Sequence, residues 1–484
     1  EETIKEEETE SLKKERKLSS DWYILDLNGK LHELDKFNYK DFENLKKFAF
    51  YEKEKSRAVK QEPAHIELMR KLELVDYEPA SDSGNLRFYP KGRFIKKLIE
   101  EYVTNKVIDY GGLEVETPIM YDINHPTLSK YLQRFPARQY QIESDKRNFF
   151  LRFSACFGQF LMTHDANLSY KNLPFKIYEL TRYSFRREQS GELTGLRRLR
   201  AFTMPDVHAI VPDLEQAMNE LKIRFNLCLD VLNGLEIKKN DIEMALRTTE
   251  EFYKKNKDYI NNLVKNFKKP ILLELWDERI FYFILKYEFN FVDTLDKASA
   301  LSTDQIDIEN GERYNIRFTD KDGKYKHPLI LHCSPSGAIE RVMYVLLEKA
   351  AFDIKSGKLP VLPLWLCPTQ VRLIPVSDKK HLKFCEKLAD ELEKENIRVD
   401  IDDSSETINK RIRNSEEEWI PFIVVIGDKE KKGDLPVRIR AKKDKVIKMS
   451  KKQLINLIKK ETKDKPFKGL PLPRLVSKRV KFVG

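Results

Sequence analysis

Apolar residues recur at nearly every second position along Lys176–Phe185 (KIYELTRYSF) and again along Leu199–Val211 (LRAFTMPDVHAIV). A period of two is the signature of a strand. The polar stretch between them contains Gly191 and Gly195, so the pair predicts a long hairpin. A shorter hairpin is predicted over Trp22–Leu34, with Asn28 and Gly29 in its turn. The spacing changes at Phe94, Ile95, Leu98, Ile99, Tyr102 and Val103, which predicts a helix stopped at Gly111–Gly112 and followed by a strand, Leu113–Pro118. Helical periodicity also covers Phe42–Arg70, broken at Pro63, and Pro212–Leu235, where Leu214, Met218, Leu221, Phe225 and Cys228 share one side. Phe149–His164 reads as a buried strand turning into a helix, and the charged stretch Asp241–Lys269 as more helix. Strands are predicted at Ile271–Asp277, Phe281–Phe291 and Ala298–Ile308, and Tyr314–Phe318 offers another. His327–Ala350 reads as an apolar strand running through Gly337 into a helix.

The pattern changes after a Pro-rich stretch, Lys355–Pro368. Short apolar strands (Val371–Val376, Arg398–Asp402, Phe422–Gly427) then alternate with helices (His381–Asn396, Thr407–Arg413), which implies a small sheet with helices on its faces. At the other end, residues 1–16 are mostly Glu and Lys and read as a frayed helix or linker. Ser81–Gly84 is a polar break. The expected division is therefore a charged linker with a small appended region over 1–84, a larger α+β domain over 85–358, and an α/β domain over 367–484.

Composition narrows the class. A chain of 484 residues that is 41% hydrophobic can bury several cores. A net charge of +11 suits a polyanionic partner, although Lys-rich compositions give the same excess without one. Five cysteines without paired spacing point away from a disulfide scaffold and towards a reducing, cytoplasmic setting. No apolar run is long enough to span a membrane, and no signal peptide is recognised. The first residue is Glu1 rather than Met, so a processed chain or a piece of a longer one is expected.

The 182–208 segment, RYSFRREQSGELTGLRRLRAFTMPDVH, concentrates arginines at the base of the long hairpin. The guanidinium fork donates in pairs and keeps its charge, so such a hairpin can cradle a nucleotide; a solvated basic hairpin accounts for the same residues. Arg186-x-Glu188, a polar loop and Arg200-x-Phe202 together resemble motif 2 of the class II aminoacyl-tRNA synthetases, and the fuller string is similar to the archaeal threonyl branch. The helix, Gly pair and strand ending at Pro118 resemble motif 1, and the strand–helix unit with Arg341 resembles motif 3. The three motifs stand in the family's order. GDKE (Gly427–Glu430) and VRIR (Val437–Arg440) resemble the parts of the shared anticodon-binding domain that meet anticodon bases.

The resemblance implies an antiparallel class II sheet with helices, followed by an α/β anticodon-binding domain. It implies ATP-dependent activation of threonine and transfer to tRNA(Thr), with Mg2+ accompanying ATP and a homodimer formed through motif 1. It places Arg186 on the α-phosphate and the amino-acid carboxylate, Glu188 and Phe202 on the adenine, and Arg341 against the adenine and the γ-phosphate. Thr303 and Gln305 fall on site-lining positions, Gln305 in the ATP region, and Glu430 and Arg438 on the tRNA anticodon. A single zinc is implied on Cys156, His208 and His332, with Asp206 accepting from the substrate hydroxyl or orienting the ligand set. Three protein ligands leave one coordination position open. That matters because pocket shape alone separates threonine poorly from the near-isosteric valine. Two departures stand out. Cys156 lies in SACFGQ, without the Pro and His of bacterial members, and Tyr131 falls by equal offset where those enzymes carry a loop histidine, so no general base is assigned. Many archaeal relatives carry an editing domain further upstream; none is recognised in residues 1–91. The competing readings are a prolyl or glycyl synthetase of the same plan, which places no metal on the amino acid, and a non-catalytic tRNA-binding paralogue, which loses the motif arginines. A plain basic RNA-binding module leaves the ordered motifs unexplained.

Overall fold

The computed structural model describes residues 20–54, 61–132, 139–431 and 433–482; the charged run 1–16 lies outside them. By internal contacts the chain forms two compact units, one holding 20–62, 82–85 and 103–342, the other 63–81, 86–102 and 343 onward.

The first unit is built on ten strands: β1 (Ser20–Leu25), β2 (Leu31–Glu33), β3 (Leu113–Glu114), β4 (Phe175–Phe185), β5 (Ala201–Val211), β6 (Ile242–Thr249), β7 (Ile271–Trp276), β8 (Phe283–Val292), β9 (Ala298–Asp307) and β10 (Leu329–Ser334). Their order across the sheet is β2-β1-β7-β6-β8-β9-β10-β5-β4-β3. Every neighbouring pair is antiparallel except β6/β7 and β4/β3. The predicted long hairpin is β4–β5, and the predicted strands over 271–308 are β7, β8 and β9. The helix α1 (Glu43–Glu54) packs Leu45, Phe48 and Ala49 against Ala245 and Leu272 of the sheet. The helix α2 (Cys156–His164) covers the β5–β10 region, and α3 (Leu214–Gly234) is capped by Asp213, whose carboxylate accepts the Gln216 N–H.

Three local expectations differ from the structure. Asp241–Lys269 is not all helix: its first part is the buried strand β6, followed by helices Glu250–Lys255 and Lys257–Phe267. Glu243 and Arg247 gave that strand a solvated look. In place, Glu243 takes the Lys269 ammonium at 2.6 Å and Arg247 is held by carboxylates, so a buried strand tolerates both. Leu113–Pro118 pairs only at Leu113–Glu114. Tyr314 and Ile316 are core residues ahead of a strand that starts at Phe318. Gly337 does what its position suggested: its φ is +70°, and a Cβ there would meet the Leu301 carbonyl oxygen at 2.5 Å.

In the second unit five strands, β11 (Val371–Pro375), β12 (Val399–Ile401), β13 (Phe422–Ile426), β14 (Leu435–Ile439) and β15 (Lys445–Met449), run in the order β12-β11-β13-β14-β15. β11 is parallel to both its neighbours, and the other pairs are antiparallel. Helices Asp378–Glu393, Ile408–Glu417 and Lys451–Glu461 accompany this sheet. The buried Arg372 guanidinium pairs with Asp400 at 2.9 Å and Glu418 at 2.8 Å. Burial alone raises the Glu418 carboxyl, but Arg372 overrides it and brings it down to about 2. Part of the Pro-rich stretch is ordered core, with Trp365 and Leu366 buried in a short turn.

Candidate active site and metal centre

One row of register partners crosses the first sheet: Trp22 opposite Glu274, then Arg247, Lys286, Gln305, His332 and His208. Directly opposed residues project from the same face. The β-period therefore sets two histidines, an amide, an ammonium, a guanidinium and a carboxylate in line on one surface, which no spacing within the sequence displays.

At one end of the row Cys156, on the first turn of α2, meets the two histidines. Cys156 Sγ lies 3.2 Å from His208 Nε2 and 3.4 Å from His332 Nδ1, and the two nitrogens are 3.2 Å apart. Tetrahedral ligation with Zn–S near 2.3 Å and Zn–N near 2.0 Å requires separations of about 3.3–3.6 Å. All three residues are buried, and their donor atoms form a group that can hold a metal ion. The outer contacts fix which nitrogen each ring presents. His208 Nδ1–H donates to Gln159 Oε1 at 2.6 Å, and Gln159 Nε2 donates to the Asp206 carbonyl at 3.4 Å, which orients the amide. His332 Nε2–H donates to Asp307 Oδ2 at 2.7 Å. Each imidazole thus keeps its inner nitrogen for a ligand, the usual support of a metal-bound histidine. Ser154 Oγ donates to Cys156 Sγ at 2.9 Å, an outer contact on the sulfur.

Burial, with the nearby His332 and Arg224, depresses the His208 imidazole well below its ordinary value, so it stays in the neutral form that ligates. Burial also works against a charged His332, but the Cys156 sulfur and the Asp307 carboxylate outweigh it and push that group up to about 10, so a metal ligated by Nδ1 would displace the proton that this nitrogen carries in the metal-free site. Asp206 is raised to about 6, chiefly by burial, with the Ala155 N–H opposing and Glu179 adding to the rise.

Cys156, His208 and His332 line a cavity of about 230 Å3 together with Tyr131, Ser154, Arg186, Asp206, Thr303, Gln305 and Ser334. Gln305 Oε1 is buried there without a partner among the described residues, an acceptor left for a bound group. Tyr131 is buried, and burial holds its hydroxyl well above its ordinary value. A second cavity, about 480 Å3, is lined by six Arg and Lys side chains against four Glu. Arg186 lines both cavities, and Glu188 and Arg341 line the larger one. Arg186 Nε lies 3.2 Å from Glu188 Oε1, and Arg341 donates to the Arg197 and Ala300 carbonyls at 3.0 and 2.8 Å. Phe202 sits opposite Ser184 in the hairpin, outside the residues that line either cavity.

In the second unit Glu430 folds back on its own turn, accepting the Gly427 N–H at 2.9 Å. Arg438 donates to the Asp444 carbonyl at 3.1 Å and lies 3.4 Å from Glu416. The sequence reading missed Gln159, Asp307 and the charged end of the row. Two signals were present: Gln159 is one helical turn beyond Cys156, and Asp307 shares the face of Gln305 two residues on.

Residues 140–350 match the family described as tRNA synthetase class II core domain (G, H, P, S and T), and residues 370–461 match the anticodon binding domain. A threonine--tRNA ligase from Pyrococcus horikoshii is 58% identical over 486 aligned positions, spanning all of this chain and 77% of that protein. The Methanosarcina mazei enzyme of the same name is 55% identical over all of this chain and 76% of its own length. Among solved structures, the RNA binding domain of threonyl-tRNA synthetase from Cryptosporidium parvum Iowa II shares the fold at a TM-score of 0.70 and 23% identity, over 82% of this chain and 98% of that one. Prolyl-tRNA synthetase from Cryptosporidium parvum does so at 0.65 and 16%, over 84% of this chain and 80% of that one. With the identity of the curated relatives extending along its whole length, the chain belongs to the threonine--tRNA ligase family of class II aminoacyl-tRNA synthetases.

Proposed function

We infer that this chain activates threonine with ATP and transfers it to tRNA(Thr), selecting the amino acid at a zinc held by Cys156, His208 and His332. The observation that carries the reading is Arg186. It lines both the cavity holding the Cys–His–His group and the larger basic cavity, so one guanidinium faces an amino acid on one side and a nucleotide on the other. The donor set fits zinc in type, separation and outer support. Zinc bound there supplies a Lewis acid with a coordination position open to the substrate, and a site expecting a hydroxyl ligand rejects valine.

The protein's own groups do the rest. Arg186 holds the threonine carboxylate in line with the ATP α-phosphorus and balances the charge that develops as pyrophosphate leaves. Glu188 anchors Arg186 and reads the adenine; Phe202, which lies outside both cavity linings, takes the stacking role on the strength of the family motif alone. Arg341, fixed by two backbone carbonyls, meets the γ-phosphate, with Mg2+ carried in by ATP. Gln305 and Thr303 line the floor between the substrates, and Asp206 accepts from the threonine hydroxyl. Positioning and charge stabilisation account for such chemistry without a covalent intermediate on the protein. The working division is catalytic residues 85–358 and an anticodon-binding domain, 367–484, in which Glu430 and Arg438 face the anticodon; residues 1–84 precede both. The exposed Leu113, Ile119 and Met120 beside the edge strand β3 form the homodimer contact, and the enzyme works in the cytoplasm. Among the described residues no helix is long and apolar enough to cross a membrane. Elemental analysis tests the metal assignment: one zinc per chain is expected, lost in His332→Ala, and an unchanged zinc content in that variant would refute it.

A further inference from the structure

The hairpin β1–β2 and helix α1 stand ahead of all three synthetase motifs, yet they are built into the nucleotide cavity. Ser20, Trp22, Tyr51 and Glu52 line its wall beside Arg186 and Arg341. Two sets of contacts fix this region to the core. On its apolar side Ile24, Leu45 and Phe48, all fully buried, pack with Ala245 and Leu272. On its cavity side Glu52 reaches Arg247, the central cation of the row described above.

Arg247 is held from three directions. Nη2 donates to Glu52 at 2.6 Å, Nε to Glu274 at 2.8 Å and Nη1 to Glu288 at 2.5 Å. Glu288 is shared: its other oxygen takes the Lys286 ammonium at 3.1 Å. Lys286 lines the larger cavity and lies directly opposite Gln305, which lines the smaller one. The contacts therefore run from Glu52 through Arg247 and Glu288 to an ammonium on the wall of the larger cavity. The sheet supplies Glu274 and Glu288 from β7 and β8, the two strands that flank β6, whereas Glu52 comes from α1. Arg247 keeps its three-way clamp only while α1 is docked.

We propose that Glu52 is a positioning residue for ATP: by clamping Arg247 it fixes Glu288 and Lys286, so that the region ahead of the motifs completes the nucleotide site. The proposal rests on the reading of the larger cavity as the ATP site. Replacing the carboxylate by a neutral acceptor weakens this arm of the clamp and should raise the ATP KM about tenfold in Glu52→Gln. The threonine KM should stay at the parent value, because that pocket is bounded by other residues. Lys47→Gln is the control. It removes the 2.8 Å ion pair between Lys47 of the same helix and Asp296, neither residue lining the cavity, and should leave both constants unchanged.

The assay is ATP–pyrophosphate exchange with the whole chain, varying ATP and threonine separately and recording thermal midpoints. Glu52→Asp keeps the charge with a shorter reach, and should fall between the parent and Glu52→Gln in ATP affinity. An unchanged ATP KM in Glu52→Gln, or equal rises in the ATP and threonine KM values, would overturn the proposal. If Glu52→Gln does not fold, Glu52→Asp decides on the same comparison. A parent chain with no threonine-dependent exchange would overturn instead the reading of the cavity itself.

Discussion

Replacing Asp307 with Asn should weaken zinc binding although Asp307 is not a ligand. Its Oδ2 accepts the His332 Nε2–H at 2.7 Å and the Asn310 side-chain amide at 2.5 Å, while Oδ1 accepts the Glu309 and Asn310 backbone N–H groups at 2.9 Å each. An asparagine that keeps its oxygen on the two backbone donors turns its NH2 towards His332 and the Asn310 amide. Two donors then face each other. The imidazole avoids this by moving its proton to Nδ1, which is the atom lying 3.4 Å from Cys156 Sγ and 3.2 Å from His208 Nε2. A ring protonated there has no lone pair for the metal. Loss of such an outer contact typically weakens metal affinity about 10–100-fold, equivalent to about 1.4–2.8 kcal/mol. Competition against a chromogenic zinc chelator, with circular dichroism to establish the fold, measures it. A folded Asp307→Asn protein with parental zinc affinity would refute the argument that Asp307 sets the His332 tautomer.

Arg186→Ala should fold, retain zinc and lose threonine-dependent ATP–pyrophosphate exchange by about 3 kcal/mol or more, the scale of a contact made mainly in the transition state; near-normal exchange would count against the two-cavity reading. Arg438→Ala should lower tRNA charging by about 1–3 kcal/mol while leaving exchange almost untouched, taking base contacts in duplex grooves as the guide; equal losses in both assays would show that the two functions are not divided between core and anticodon domain. Glu418, with its folded value brought down to about 2 from an ordinary 4.5, contributes stability that is fully present above the ordinary value and lost as pH falls through about 2. Glu418→Gln should therefore be less stable than the parent at pH 7, with the difference shrinking below pH 4.5 and gone near pH 2; denaturant unfolding across that range reads it, and a pH-independent difference would refute it.

Much of the architecture was legible because its elements carry strong local periods. The β4–β5 hairpin, the helix Leu214–Gly234 and the strand–helix turn at Gly337 each announce themselves within a short stretch. The family motifs brought Arg186, Glu188 and Arg341 to the larger cavity and Cys156, His208 and His332 to one point. What stayed hidden depends on register. Glu274, Arg247 and Lys286 form a row with Gln305 and His332 only when five strands of different sequence separation are paired. Residue type misled at β6, where Glu243 and Arg247 looked solvated because their buried partners, Lys269 and the Glu52–Glu274–Glu288 set, lie elsewhere in the chain. The region ahead of Ser81 read as an appendage, since nothing in its own sequence records that Glu52 ends against Arg247.

The central claim is that a metal at Cys156, His208 and His332 selects threonine. The most direct measurement is ATP–pyrophosphate exchange on the purified chain with threonine, valine and proline in turn, before and after chelation and after zinc is returned. The account predicts exchange with threonine alone, lost on chelation and restored by zinc. Threonine-dependent exchange that survives complete removal of the metal, or valine used as readily as threonine, would contradict it.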